Sequence, residues 1–329
     1  MNATLDCSTF HLLHYSFLQE FSKDLFILMC FIDAIIFFSA TLGNTLILIA
    51  LKKSQSIHSP SKALLSSLAF SDLGVGIIVA PLHFALTLGV IQEDPLQYCA
   101  LYQPTTMAGF IMASVSTLTS PAIALDRYLA FRLRIRYRHL VTLRRIVILL
   151  SSLWGTGIFF AVSWTLGRNI NRIVGAFSTV LCTTTTLYFY LRIFFGLRRQ
   201  TAQIQQQSRL RTNRRNIFSI LAYKKTVKNM FLIYCVISIC YMPYLLAQML
   251  IFFVGLSSSS FLVISFAYIL ILLNSMLNPI VYCWRIRDLK RQVLRILSHF
   301  QPLRKNVRQP TNVRFRQVTG LSNLKTLTV

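Results

Sequence analysis

The sequence predicts an all-α integral membrane protein, a bundle of seven transmembrane helices followed by a short amphipathic helix on the membrane surface. Three observations lead to this fold class. Hydrophobic residues make up 54% of the 329 residues and charged residues only 13%, whereas soluble proteins average about 45–50% and about 25%. The apolar residues gather in seven long runs. The basic residues lie almost entirely on alternate connections between these runs.

Each apolar run is long enough to cross about 30 Å of hydrocarbon as an α-helix, at about 1.5 Å per residue. None shows the polar–apolar alternation of a barrel strand. We therefore expect helices, because in lipid every backbone polar group must be bonded within its own segment. The predicted spans are Leu25–Leu51, Lys62–Leu88, Tyr102–Phe131, Ile146–Thr165, Ile173–Leu197, Met230–Val254 and Phe261–Trp284.

The basic residues predict how the bundle is oriented. Three of the 34 Lys and Arg residues lie before the first span or after spans two, four and six, and the other 31 lie on the opposite side. Since basic residues concentrate on the cytoplasmic side, we expect an extracellular amino terminus and a cytoplasmic carboxyl terminus in the plasma membrane. The tripeptide Asn2-Ala3-Thr4 is a glycosylation acceptor pattern on the outer side. The net charge of +25 does not indicate a nucleic-acid partner, because the basic residues lie between apolar runs.

The spans divide the chain into four regions. Residues 1–24 form an extracellular segment, residues 25–284 the bundle, residues 285–299 an amphipathic helix, and residues 300–329 a polar tail expected to be disordered. In the amphipathic helix the apolar face carries Ile286, Leu289, Val293 and Ile296, and the basic face carries Arg287, Lys290, Arg291 and Arg295. We expect this helix to lie on the inner leaflet and bind anionic membrane lipids.

Charged and polar residues inside the spans are the first candidates for function. A carboxylate at this depth costs about 2.5–3.5 kcal/mol on insertion scales, so each one is a functional hypothesis. Three of the nine acidic residues lie within spans, namely Asp33, Asp72 and Asp126. Asn44 and Asn278 also lie at mid-span or nearly so. All five need polar partners within the bundle.

Several short motifs lie at defined depths of the predicted spans. They are Gly43-Asn44, Leu68-Ala69-x-x-Asp72, Pro81, Asp126-Arg127-Tyr128, Trp154, Tyr190-x-x-Ile193, Cys240-Tyr241-Met242-Pro243 and Asn278-Pro279-Ile280-Val281-Tyr282. Together they resemble the rhodopsin-like (class A) G-protein-coupled receptors over nearly the whole chain. The likeness is nearest to the adenosine, melanocortin and cannabinoid receptor group. Two positions depart from the family pattern, since Cys182 stands where a proline is usual and Tyr241 where a tryptophan is usual.

The resemblance implies a receptor, not an enzyme, which binds an extracellular ligand and activates a heterotrimeric G protein by shifting between two packings of the bundle. Arrestin and a receptor kinase are further implied partners. The implied coupling residues are Asp126, Arg127, Tyr128, Tyr190, Pro243, Asn278, Pro279 and Tyr282. Arg127 would pair with Asp126 at rest and face the G protein on activation. A transporter or channel is the alternative, although the sequence has no internal repeat and few intramembrane charges.

The resemblance also implies a sodium pocket, the one cofactor site expected. Its positions are Asp72, Ser116, Asn274, Ser275 and Asn278. The alternative is a dry hydrogen-bond network around a protonated Asp72.

Cys99 resembles the disulfide cysteine of the family, but the usual partner is missing. Cys7 is the outer candidate, and a free thiol at Cys99 remains the alternative.

The expected ligand pocket is mostly apolar. Its predicted residues are Asp33, His83, Phe110, Tyr241, Tyr244, Gln248 and Tyr268. Amine receptors carry an aspartate where Gly109 stands here, so a cationic amine is disfavoured. Adenosine receptors pair an acid in span one with a histidine in span seven, but Leu272 replaces that histidine, so we expect Asp33 to pair with His83. A lipid-like or small amphipathic ligand is the leading prediction, with a peptide second.

Overall fold

The computed structural model describes residues 9–166, 168–208, 239–253, 255 and 257–299. Its regular elements in this part of the chain are helical. They are α1 (Thr9–Leu18), α2 (Lys23–Lys53), α3 (Ser59–Gly74), a π-helical turn (Val75–Val79), α4 (Ala80–Ile91), α5 (Pro95–Leu133), a 3₁₀ turn (Arg134–Arg136), α6 (Tyr137–Leu140), α7 (Leu143–Leu166), α8 (Arg168–Ser208), α9 (Ile239–Phe253), α10 (Ser258–Arg285) and α11 (Arg287–His299).

Six of the described helices are long and apolar enough to cross a membrane, counting α3, the π-helical turn and α4 as one, and α9 is a shorter apolar helix. They coincide with the seven predicted spans, so the predicted seven-helix fold is confirmed. The start of the sixth span, residues 230–238, lies outside the described residues. Large apolar side chains such as Phe31, Phe159 and Phe177 point out of the bundle, as expected where the solvent is lipid.

Local sequence explains where several helices begin and bend. Ser257 and Ser260 form a capping box at the start of α10, in which the Ser257 hydroxyl accepts from the Ser260 backbone N–H. The π-helical turn lies just before Pro81. Single π-helical turns of this kind interrupt otherwise regular α-helices. Gly43 lets α2 approach α10 closely, because a Cβ at that position would lie 2.8 Å from Cγ of Pro279.

The bundle has two apolar clusters, one near each end. At the end where α1 lies, here called the α1 end, Phe26, Tyr98 and Phe261 pack with Leu18 of α1. At the opposite end, here called the α11 end, Leu64 and other side chains of α2, α3 and α5 pack in one cluster with α11. Residues 9–18 are thus a helix packed on the bundle, which the sequence did not predict for the first 24 residues.

The apolar face of α11 packs on the bundle. Leu289, Val293 and Ile296 are buried in the cluster at the α11 end, while the predicted position of the helix on the inner leaflet stays a prediction. Only Ile286 separates α11 from α10, so the nearest apolar surface is the bundle itself. Leu294 and Leu297, 55% and 43% exposed, remain available to lipid.

Asp288 fastens α11 to the connection between α2 and α3. Its carboxylate accepts hydrogen bonds from the hydroxyls of Ser54 at 2.6 Å and Ser56 at 2.7 Å. These two bonds hold the pKa of the Asp288 carboxyl below its ordinary value, because hydrogen bonds to a carboxylate favour its charged form.

Candidate functional site

A cavity of about 230 Å³ lies at the α1 end of the bundle. Six of the seven predicted pocket residues line it, namely His83, Phe110, Tyr241, Tyr244, Gln248 and Tyr268. They come from α4, α5, α9 and α10, so the cavity lies between helices that are distant in sequence. Asp33 does not line the cavity. It lies behind His83, on α2.

Asp33 and His83 form the predicted pair. Oδ2 of Asp33 lies 2.7 Å from Nδ1 of His83, and the two residues are 1% and 7% exposed. The imidazole also lies 5.1 Å from the ring of Tyr268, measured between ring centroids. Asp33 therefore reaches the cavity only through His83, whose ring orientation it fixes.

Three polar atoms in the cavity wall have no hydrogen-bond partner among the described residues. They are Oγ1 of Thr105, Oε1 of Gln248 and the hydroxyl of Tyr268, all buried. A buried polar atom left unpaired costs about 1–3 kcal/mol. Each is therefore a position where a ligand's hydrogen-bonding group would be stabilised.

Several lining residues were missed by the sequence prediction. His14 and Leu18 come from α1, and Tyr98, Tyr102 and Thr105 come from the first turns of α5. The α5 residues could have been found, because positions 98, 102, 105 and 109 recur at helical spacing and lead along one face to Gly109. The residues of α1 belong to a segment for which no helix was predicted.

A second polar cluster surrounds Asp72 in the middle of the bundle. The amide of Asn278 donates to Oδ2 of Asp72 at 2.7 Å, and the side chain of Ser275 lies near this carboxylate. Oδ1 of Asp72 and Oδ1 of Asn274 are buried without a partner among the described residues. Four of the five predicted sodium residues thus supply hydroxyl, amide or carboxylate oxygens in the buried core. Unpaired hard oxygens of this kind suit a small cation.

Ser116, the fifth predicted sodium residue, lies on α5 near a side chain from α9. The hydroxyl of Tyr241 lies near the side chains of Thr117 and Ser116. Tyr241 lines both the main cavity and a smaller one of about 50 Å³, which Tyr190, Asn278 and Tyr282 also line. The hydroxyl of Tyr241 therefore connects the main cavity with the core beneath it.

A third polar cluster lies at the α11 end, around Asp126. Its carboxylate accepts from Arg127 at 3.2 Å, from the Ser61 hydroxyl at 2.8 Å and from the Tyr137 hydroxyl at 2.5 Å. Burial and then the hydrogen bond to Asp126 raise the pKa of Tyr137 to about 12, so its hydroxyl keeps its proton at neutral pH. Beside this cluster, Arg132 donates to the hydroxyl of Tyr128 at 3.2 Å, and Arg192 lies near the same hydroxyl.

Comparison with known sequences decides the family. Residues 43–186 and 170–282 match the family described as 7 transmembrane receptor (rhodopsin family). The chain belongs to this family. It is therefore a G-protein-coupled receptor for an extracellular ligand and a multi-pass protein of the plasma membrane.

The receptor is also similar to curated relatives over most of its length. The adenosine receptor A3 of Ovis aries is 28% identical over 295 residues, which cover 81% of this chain and 88% of the relative. The adenosine receptor A3 of Canis lupus familiaris is 28% identical over 298 residues, covering 82% and 90%. That of Bos taurus is 27% identical over 292 residues, covering 81% and 88%.

The structure also places the other predicted residues of the receptor, namely the coupling residues and the cysteines. Pro243 lies within α9, Pro279 lies within α10, and Tyr190 and Tyr282 are buried. Cys99 is disulfide-bonded, whereas Cys30, Cys182, Cys240 and Cys283 are free. The predicted partner Cys7 and the predicted glycosylation site Asn2 lie outside the described residues, so the pairing and the glycan stay predictions.

Gly109 gives the first testable prediction for the receptor. A Cβ at this position would lie 2.1 Å from the Tyr268 hydroxyl oxygen, so Gly109→Ala should displace Tyr268 from the cavity wall. Overpacking of this kind costs about 1–3 kcal/mol. We expect a lower apparent Tm of the solubilised receptor, partly restored by adding Tyr268→Phe.

Gly155 of α7 is the matched control for this prediction, because a Cβ there meets nothing within 4 Å. Gly155→Ala should leave the Tm unchanged or slightly raised, since alanine is the better helix former. Equal Tm changes in the two alanine variants would contradict the close contact between Gly109 and Tyr268.

Proposed function

We propose that the receptor binds a small, uncharged, largely apolar molecule, lipid-like or amphipathic, in the cavity at the α1 end. The observation that carries this proposal is the composition of the cavity wall. Among the described residues the wall has no Asp, Glu, Lys or Arg, and it has three unpaired polar atoms, on Thr105, Gln248 and Tyr268. Such a wall matches a ligand with an apolar body and two or three hydrogen-bonding groups.

Other ligand classes fit this cavity less well. A cationic amine would need a carboxylate in the wall, but the Tyr268 hydroxyl fills the space next to Gly109. The relatives are named adenosine receptors, yet Leu245 and Ile271 line the cavity where the adenosine-receptor pattern leads us to expect polar contacts. A peptide would need more room, because the cavity volume of about 230 Å³ is below the about 300–1,000 Å³ usual for drug-sized ligands.

The proposed orientation places the α1 end outside and the α11 end in the cytoplasm. Basic residues gather at the α11 end, where Lys52, Lys53 and Lys62 flank the connection after α2 and Arg132 to Arg145 follow α5. An excess of Lys and Arg marks the cytoplasmic side. Arg127 and Asp126 would then face the G protein, with Leu294 and Leu297 of α11 toward membrane lipid. Arrestin and a receptor kinase would approach the same face.

The proposed mechanism is a shift between two packings of the bundle. In the packing described here, Arg127 is held by Asp126. A ligand that binds the other packing more tightly would release Arg127 toward the G protein. Tyr241 is the candidate link, since it lines both the ligand cavity and the smaller cavity beneath it.

A ligand screen in cells tests this function. Cells that express the receptor with a G-protein dissociation sensor are exposed separately to neutral amphipathic lipids, nucleosides, cationic amines and short peptides. We expect activation by members of the first set, and none in cells expressing Arg127→Ala. Activation by amines or peptides alone would contradict the proposed ligand class, and activation that survives Arg127→Ala would contradict the coupling role.

We also propose that sodium binds at Asp72, with Asn274, Ser275 and Asn278 as neighbouring donors and Ser116 as the donor from α5. The unpaired Oδ1 atoms of Asp72 and Asn274 support this proposal. A cation present at a concentration of about ten times its Kd would stabilise the folded receptor by about 1.4 kcal/mol. The stabilisation would depend on the carboxylate charge.

Asp72→Asn should therefore abolish the difference in apparent Tm between NaCl and an equal concentration of KCl, because the neutral amide cannot balance the cation's charge. Ser71→Ala is the control, since the Ser71 hydroxyl bonds the Leu68 carbonyl of its own helix. The control should keep the sodium effect. If wild-type receptor has the same Tm in both salts, the cluster is a hydrogen-bond network without sodium.

A further inference from the structure

The helix α1 forms part of the wall of the cavity at the α1 end of the bundle. Its ten residues include no Asp, Glu, Lys or Arg, and it packs against α5 and α10. Two of its side chains, His14 and Leu18, form part of the cavity wall. The receptor's own amino-terminal helix therefore covers part of the proposed ligand site.

His14 is the side chain that joins this helix to the bundle. It is 7% exposed, and its Nδ1 atom hydrogen-bonds the hydroxyl of Tyr98 on α5. Its ring centroid lies 4.1 Å from that of Phe261 on α10 and 5.1 Å from that of Tyr102 on α5. One residue of α1 thus contacts both α5 and α10, two of the helices that line the cavity.

The chain that follows α1 is attached to the bundle independently of His14. The Gln19 side chain donates to the Val90 carbonyl at 2.8 Å, and Lys23 forms an ion pair with Glu93 at 2.5 Å. Residues 19–22 separate α1 from α2. These attachments lie beyond the carboxyl end of α1, so α1 can move about them while α2 stays in place.

We propose that α1 is a lid on the ligand cavity, closed in this structure by the His14–Tyr98 contact and lifted when a ligand passes between water and the cavity. The importance of the lid for signalling rests on the proposed function, because that proposal makes the cavity the ligand site. The movement itself requires neither a ligand nor a G protein.

The lid should open more readily in mild acid. Burial, and then the neighbouring His11, lower the pKa of His14 to about 3. A histidine in water has a pKa of about 6.5, so the lifted lid binds a proton below that pH and the closed lid does not. Closure is then fully favourable above about pH 6.5 and is progressively lost as the pH falls toward 3. Between pH 7.5 and 5.5 the opening equilibrium should rise about tenfold.

Other titratable groups around His14 do not account for such a change. Tyr15 of α1 and Tyr98 and Tyr102 of α5 are the tyrosines near it, and tyrosines ionise near pH 10. Phe261 of α10 does not titrate. His11, which packs on Tyr102, is the second histidine, so His11→Ala tests whether it contributes to the acid response.

A native cysteine reports the movement. Cys182 is free and lines the cavity, and on this proposal a membrane-impermeant methanethiosulfonate added to intact cells reaches it past the lid. Its thiolate attacks the reagent's sulfur, releases methanesulfinate and forms a mixed disulfide. The labelling rate is measured by peptide mapping, with Cys182→Ser as the baseline. Cys30, which is free and does not line the cavity, should stay unlabelled in a folded receptor.

We expect slow labelling of Cys182 in the wild-type receptor and at least about tenfold faster labelling in His14→Ala and Tyr98→Phe, which each remove one hydrogen-bond partner. Leu13→Ala is the matched control, because Leu13 is an exposed position of the same helix. It should label at the wild-type rate. Between pH 7.5 and 5.5 the ratio of the wild-type rate to the His14→Ala rate should rise about tenfold, since intrinsic thiol reactivity cancels in the ratio.

Equal rates in the wild type and Tyr98→Phe would overturn the lid. If Cys30 is labelled in His14→Ala, that variant is misfolded and Tyr98→Phe decides the question. Fast wild-type labelling that neither variant changes would also overturn the lid, since the cavity would then be open. If Cys182 is labelled as expected but no ligand set activates the receptor in the screen, the lid proposal is supported and the proposed ligand class is overturned.

Discussion

Replacing Arg127 with Ala is expected to reduce G-protein activation to the level of cells without receptor, while surface expression stays near that of the wild type. Arg127 is the cation paired with Asp126, and its side chain is 26% exposed at the α11 end. The released guanidinium is the group that our mechanism presents to the G protein. The other arginines do not replace it in this mechanism, because the ion pair that is released is the one between Arg127 and Asp126.

Expression should survive because Asp126 keeps two of its three partners. The hydroxyls of Ser61 and Tyr137 still donate to its carboxylate when Arg127 is gone, so the buried carboxylate keeps two hydrogen bonds although it loses its cationic partner. Arg138→Ala is the control, since Arg138 is an exposed basic residue of α6. It should signal normally. Wild-type signalling by Arg127→Ala would contradict the coupling role of this end of the bundle.

The seven spans were predictable because lipid imposes a simple rule on the sequence. A run such as residues 25–51 must satisfy its backbone internally and expose apolar side chains, and both conditions are visible in composition alone. The Asp33–His83 pair was predictable for a related reason. An intramembrane carboxylate needs a partner, and His83 was the one nearby candidate in the sequence.

The helix α1 could not be predicted in the same way. It has ten residues, too few to span a bilayer, and its apolar residues on their own are compatible with an unstructured segment. Its helical structure depends on packing of His14 and Leu18 against α5 and α10. Tertiary contacts of this kind leave no periodic signal over so short a segment.

The face of α11 shows a different limit of sequence analysis. The spacing of Leu289, Val293 and Ile296 predicts an apolar face correctly, but it does not say whether lipid or protein covers that face. The structure shows that the bundle covers it. Asp288 contributes to this choice, because its bonds to Ser54 and Ser56 fix the rotation of the helix.

The second large effect is expected for the Asp33–His83 pair. Asp33→Asn and His83→Ala should each lower the apparent Tm, because each leaves a buried polar partner without its bond. Removing one partner of a buried hydrogen bond costs about 1–3 kcal/mol, and of a buried ion pair about 3–5 kcal/mol. Once one partner is gone, removing the other should cost much less. We therefore expect a coupling energy of at least about 1 kcal/mol in a double-mutant cycle.

Ligand potency should show the same coupling, since Asp33 reaches the cavity only through His83. Asp33→Asn should weaken an agonist in the wild-type background and have little further effect in His83→Ala. Asp33→Asn combined with Ser71→Ala is the control cycle, because the Ser71 hydroxyl bonds its own helix and its effect should be additive. Additive effects in the Asp33 and His83 cycle as well would mean that the 2.7 Å contact stabilises neither the fold nor the ligand site.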